Sequence, residues 1–401
     1  MLTILFSCLA TAQVAVRGDI VYTMDGEPIR DGLVIAADGD IAFVGVFDAA
    51  RVPDGVPLHQ AAVVTPGLID AHSVVGLAGV LNQGVLDGSS RVQDQDQLET
   101  SAPIQPELRA IDAYNAREEL VGWLRSFGVT TLHTGHGPGA LMSGQTMIVK
   151  TRGDTAEEAI VEPFAAIAIT LGQSVSSNFE SPGTRAKGVA MLRAKLLEAG
   201  RYRDKLADAQ DDEPDRDLAL EALVSLLEGD VKALVTAHTA TQISTALRLQ
   251  REFGFEMLLD GAAEAYLLID EIEEADIDVV LHAPMMRAQG ETRNASIETG
   301  ARLRDAGIRF AYQSGYESYV PKTRVVLFEA AIAAANGLGF EDALAAVTRD
   351  AAAILGVGER VGSIAVGKDA DLVLFDGDPF EYTSHVCVVI IDGETVSDEC
   401  S

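Results

Sequence analysis

Three histidines in this 401-residue chain stand at the ends of short apolar runs, where an imidazole can carry a proton or hold a metal. The first is His72, in V-T-P-G-L-I-D-A-H-S-V-V-G over residues 64–76. Punctuation by Pro66-Gly67 and a run ending in Asp70 and His72 read as a buried parallel strand that delivers polar groups to its C-terminal end. Barrel enzymes keep their chemistry at that end. His238 closes the run A-L-V-T-A-H and is followed by a helical pattern over 241–253, and His282 closes D-V-V-L-H. Each histidine, taken alone, also reads as an ordinary buried polar residue or a hydrogen-bonded strand end. Between them, residues 133–146, H-T-G-H-G-P-G-A-L-M-S-G-Q-T, form a glycine-rich stretch. It reads either as a loop whose N–H groups at 135–139 bind an anion, or as a plain turn-rich connection.

The elements that must position these residues alternate strand and helix, which argues a parallel sheet with helical crossovers. Residues 118–127 have helical spacing, Gly128 ends them, and G-V-T-T-L-H-T reads as the next strand. Residues 208–217, D-A-Q-D-D-E-P-D-R-D, have no apolar face and read as an exposed loop between helices at 185–199 and 218–227. Outside this block the pattern changes to short β-strands at both ends. Asp38-Gly39 sits between two apolar runs as a hairpin turn, and Asp392-Gly393 does the same near the C-terminus. With 48% hydrophobic content the chain fills one barrel of roughly 250–300 residues and leaves a smaller domain.

A formal net charge of −31, from 61 acidic and 30 basic residues, argues against nucleic acid and acidic membrane surfaces as partners. A small-molecule substrate or ligand is the expected partner. Residues 1–12, M-L-T-I-L-F-S-C-L-A-T-A, read as a short secretory signal with Ala10 and Ala12 at the cleavage site, or else as a buried first strand. The first reading places the mature chain in the periplasm or outside the cell, and retention of the segment leaves it in the cytoplasm. No other stretch approaches the length of a membrane span. After cleavage Cys387 and Cys400 remain, flanking the Asp392-Gly393 turn, and a disulfide between them suits an oxidising compartment.

The segment 64–76 resembles the first barrel strand of the amidohydrolase superfamily, whose motif reads P-G-x-I-D-x-H-x-H, and the likeness extends to its imidazolonepropionase-like members. The stretch G-S-I-A-V-G-K-D-A-D-L-V-L-F-D-G-D-P, 362–379, is similar to that family's tail, in which both termini build one β-sandwich beside the barrel. The resemblance implies a (β/α)₈ TIM-like barrel over 64–355, with sandwich halves at 13–63 and 356–401. It also implies hydrolysis of a non-peptide C–N bond, in a cyclic amide or amidine, by metal-bound water. Set against the motif, Val74 stands for the second histidine, Gly261 for the sixth-strand histidine beside Glu264-Ala265-Tyr266, and Gly315 for the eighth-strand aspartate. Lys150, in the V-K-T that follows the glycine-rich stretch, is a candidate to sit near the site in the manner of the carboxylated lysine with which some relatives bridge two metals. What the resemblance leaves is one divalent ion, zinc first, held by His72, His238 and His282, with Glu317 as substitute base. The other outcome is a metal-free pseudoenzyme that binds a small ligand or a protein. A homodimer is a further expectation from the family.

Overall fold

The computed structural model describes residues 12–77, 96–208, 214–315 and 325–400. The expected signal segment, up to residue 11, and Glu317 lie outside the described residues. Two sheets carry the fold. The smaller domain uses β1 (Ala12–Val21), β2 (Ile29–Ala37), β3 (Asp40–Val46) and β4 (Leu58–Pro66) from the start of the chain. Strands β13 (Leu372–Phe375), β14 (Val386–Ile391) and β15 (Glu394–Ser397) come from its end. They form one seven-stranded sheet in the order β15-β14-β13-β4-β1-β2-β3, so both termini share a domain. The sheet curls: Ile41 N–H donates to the Lys368 carbonyl, and Ala370 N–H to that of Gly39, bringing β3 against the chain that enters β13. Val16, Val34, Val64, Leu372 and Ile390 fill the enclosed side. Cys387 and Cys400 are joined as a disulfide.

The step from sheet to barrel takes one residue. Pro66 ends β4, and Gly67 passes so close to Thr130 that a Cβ there would lie 2.0 Å from its Oγ1. Strand β5 (Leu68–Ser73) then opens the barrel, followed by β6 (Val129–Gly135), β7 (Met142–Lys150), β8 (Ile160–Thr170) and β9 (Lys232–Ala237). Strands β10 (Met257–Gly261), β11 (Asp278–Leu281) and β12 (Phe310–Tyr312) complete it. Ile69, Ile148, Ala166, Leu234, Leu258, Val280 and Ala311, one each from seven of the strands, meet in the interior. Residues two further along those strands point the same way, because side chains alternate with period two.

One strand departs from the all-parallel expectation. β7 is antiparallel to both β6 and β8, joined to β6 by a hairpin rather than by a helix. Its last residue, Lys150, therefore lies opposite Thr131, near the start of β6, at the floor of the barrel. There its ammonium meets Asp369 at 2.7 Å, Asp371 at 3.0 Å and Asp392, all from the smaller domain. Burial would lower the Lys150 pKa, but the three carboxylates outweigh it and raise it. Lys150 is thus a clasp between domains and not a group at the barrel mouth.

Candidate functional site

The interior phase set by the core layer decides which side chains reach the barrel mouth. Leu234 leads to Thr236 and His238, Leu258 to Asp260, Val280 to His282, and Ala311 to Gln313. β5 would present the wrong phase, since Ile69 and Ala71 face inward. An irregularity of one extra residue in the β5–β6 pairing, between Asp70 and Ser73, re-aims His72 into the interior. His72 Nδ1 lies 2.8 Å from Asp260 Oδ1, with both side chains fully buried.

Asp260, to which the motifs of the chain assign no role, is the centre of this arrangement. Its Oδ1 also accepts from Gln313 Nε2 at 2.8 Å, and its Oδ2 from Thr236 Oγ1 at 2.6 Å. Gln313 spends its second amide hydrogen on the Val280 carbonyl, 3.1 Å away. Burial alone would raise the Asp260 pKa, but the His72 ring and these donors reverse the direction and lower it. The sequence did hold a signal for it: a carboxylate two residues after an inward leucine, at the end of the apolar run M-L-L-D, belongs to the interior phase.

His238 follows β9 directly and His282 follows β11. The His238 backbone N–H donates to Gln242 Oε1 at 2.9 Å, which fixes the strand-to-helix turn ahead of the helix Ala240–Phe253. His282 Nδ1 lies 3.0 Å from the Ala283 carbonyl, which can only accept, so that nitrogen carries the proton. Burial pushes the His282 pKa down to about 4, leaving a neutral ring whose Nε2 is a buried acceptor with no partner. His238 Nδ1 is likewise buried without a partner. Both rings line a cavity of about 620 Å³ at the mouth, together with Val74, Gly261, Gln313 and Gly315.

Asp70 stays outside this cavity and stitches the barrel seam. It accepts from the Ser314 N–H at 3.0 Å and from the Ser314 hydroxyl, joining β5 to the end of β12. Burial raises its pKa to about 6, partly offset by those bonds. The glycine-rich stretch is not the anion cradle considered above. His133 is inside β6, the Gly137 N–H is spent on the Gln97 carbonyl, and the Gly139 N–H on Thr170 Oγ1. Arg287, Gln289, Glu291 and Thr292, from the loop that follows β11, line the mouth cavity. Glu291 holds that loop there, accepting from the Gln173 N–H at 2.8 Å and from the Gln242 side chain.

His133 makes the acid sensitivity of this core measurable. Its Nδ1 meets the Ala71 carbonyl at 2.9 Å and its Nε2 the Thr146 hydroxyl at 2.7 Å, and burial lowers its pKa from 6.5 to about 4. The unfolded chain therefore takes up a proton below pH 6.5 that the native ring refuses, so stability present above that pH falls as pH drops toward about 4. At pH 5 the loss from this one ring is roughly 2 kcal/mol. Asp70 acts in the opposite sense, gaining stability on acidification because its native pKa lies above the ordinary 3.8. Denaturant unfolding at pH 7 and pH 5 should show a smaller acid loss in His133→Gln than in the wild type, and equal losses would contradict the assignment.

The superfamily's metal can be tested on the donor atoms. A zinc site needs three or four ligands at roughly 2.0–2.3 Å from one point. Among the described residues, no three His, Cys, Asp or Glu side chains come together in a group able to hold one. His72 Nδ1 and both oxygens of Asp260 are engaged by protein partners. The His238 ring lies over Gly261, where an added Cβ would meet its Cε1 at 2.5 Å, so it fills the room a sixth-strand histidine would need. Gly261 also has φ +77°, which disfavours a side chain there. Among the described residues, His72, His238 and His282 are thus not gathered with one another into a single group of ligands.

A model of the amidohydrolase family matches residues 228–397. That match and the barrel with its two-ended sheet support the likeness to the amidohydrolase superfamily, whose members include hydrolases of C–N bonds. Among individual proteins, it is 28% identical to the amidohydrolase from Thermotoga maritima, with a TM-score of 0.88 over 96% of this chain and 100% of that one. It is 25% identical to the imidazolonepropionase of Stenotrophomonas maltophilia, covering 89% of each. It is also 26% identical to amidohydrolase tasK of Hapsidospora irregularis over 92% of this chain, yet spans only 40% of that protein. A zinc-bound adenosine deaminase from Xanthomonas campestris, 18% identical with a TM-score of 0.57, shares the fold.

Proposed function

We propose that this chain is an amidohydrolase-fold protein that binds a small C–N ligand, an amide or amidine, in the barrel-mouth cavity without the metal centre that would hydrolyse it. One observation carries this reading: both oxygens of the Asp260 carboxylate are already engaged by His72, Thr236 and Gln313. The cavity suits such a ligand. His282 Nε2 is a neutral, buried acceptor on its wall, and an N–H donor would satisfy it. The likeness to imidazolonepropionases, named for a reaction on a cyclic C–N compound, supports the ligand class.

A hydrolase with one weakly held ion is the second reading. The unpartnered His238 Nδ1 and His282 Nε2 favour it, since two neutral imidazoles are the beginning of a ligand set. Metal analysis by mass spectrometry, on protein purified without affinity metals, separates the two. The expected result is far less than one equivalent of any transition metal per chain, with cyclic amides raising the melting temperature. One equivalent of zinc that is lost in both His238→Ala and His282→Ala would overturn the proposal in favour of the hydrolase. Intact mass of the same preparation from the native host bears on export: loss of residues 1–12 with the Cys387–Cys400 bridge closed is expected, and a chain beginning at Met1 would contradict it.

A further inference from the structure

Beside the barrel-mouth cavity lies a second one of about 510 Å³, which shares the wall made by Thr170, Gly172, Gln173 and Glu291. Its lining is unusual for a chain of net charge −31. Many arginines are ion-paired, as in Arg17–Asp31, Arg193–Glu252 and Arg309–Asp278. Arg185 and Arg293 form no ion pair among the described residues, and both line this cavity. We propose that it is a binding site for a small anion, the carboxylate or phosphate group of a ligand, held between Arg185 and Arg293.

Three further features act in the same direction. Residues 182–185, at the start of the 24-residue helix Arg185–Asp208, border the cavity, so the positive end of that helix dipole faces it. Thr184 Oγ1 accepts from the Lys187 N–H, and Thr239 Oγ1 from the Gln242 N–H. Each hydroxyl thereby keeps its own hydrogen to donate, and both line the cavity. Two acidic residues border it as well, and their carboxylate oxygens are already engaged by protein donors. Glu264 accepts from the Ala240 N–H and Asn294 Nδ2, and Glu291 from the Gln173 N–H and Gln242. The donors left facing the cavity are two guanidiniums and two hydroxyls, a set that matches an oxyanion.

This inference stands apart from the metal question, because anion binding and metal content are separate readouts. Isothermal titration calorimetry on the full chain, at ionic strength fixed with chloride, would use inorganic phosphate and, separately, succinate. One saturable site is expected for at least one of them. Phosphate binding alone would identify a phosphorylated ligand, and succinate binding alone a small carboxylic acid. The double variant Arg185→Gln with Arg293→Gln should bind about tenfold more weakly or not at all. Arg201→Gln, on an exposed face of the same helix, should bind as the wild type does. Both arginines are exposed, so the double variant should unfold at the wild-type denaturant midpoint, which checks that the fold is intact. No saturable binding of either anion, or unchanged binding in the double variant, would overturn the proposal.

Discussion

Replacing Lys150 with Met is expected to destabilise the protein by about 3–5 kcal/mol, as removal of one partner from a buried ion pair does elsewhere. The reason lies in what stays behind. Asp371 is almost fully buried, its Oδ1 is 3.0 Å from the Lys150 ammonium, and its Oδ2 has no hydrogen-bond partner. Asp369 and Asp392 keep other cations, Arg360 at 2.7 Å and Arg152 at 2.9 Å, but Asp371 has none. Its carboxylate would then be charged, buried and uncompensated. Acid should relieve the penalty, since protonating Asp371 removes the charge that lacks a partner, so the gap between wild type and variant should narrow as pH falls. Guanidinium unfolding of both proteins at pH 7 and pH 4.5 measures this. A gap under about 1 kcal/mol at pH 7 would show that the clasp contributes only as a surface pair does.

Asp260→Ala is expected to cost a comparable amount, by a different route. The variant leaves the His72 ring, the Gln313 amide and the Thr236 hydroxyl, all three buried, without their shared acceptor. Each buried donor left unsatisfied costs about 1–3 kcal/mol, so the total is several. Asp260→Asn should be much milder, because its amide oxygen can still accept and the Thr236 hydroxyl can rotate to accept from the new N–H. Denaturant unfolding of the two variants side by side is the measurement. If Asp260→Ala unfolded at the wild-type midpoint, the closed network would not be a packing unit, and the argument against an open ligand set at Asp260 would fail with it.

Much of this was legible in the chain itself. Apolar runs ending in His72, His238 and His282 mark strand ends, because a buried strand must be apolar and a polar residue is tolerated only where the strand leaves the core. The Asp-Gly turns fixed a β domain at both termini, since those dipeptides supply the positive φ that a tight hairpin requires. What those local signals could not carry was direction and phase. Nothing in M-S-G-Q-T-M-I-V-K says that β7 runs against its neighbours, yet that reversal moves Lys150 from the mouth to the floor and from a candidate ligand to a clasp. Likewise, the extra residue between Asp70 and Ser73 turns His72 inward, and the resemblance to a metal-binding motif is silent on the Asp260 it finds there. Sequence determined which residues are polar at strand ends, through hydrophobic period and turn chemistry. Tertiary structure alone decided which of them meet, because pairing register and strand direction are set by contacts between residues nearly two hundred positions apart, as His72 and Asp260 are.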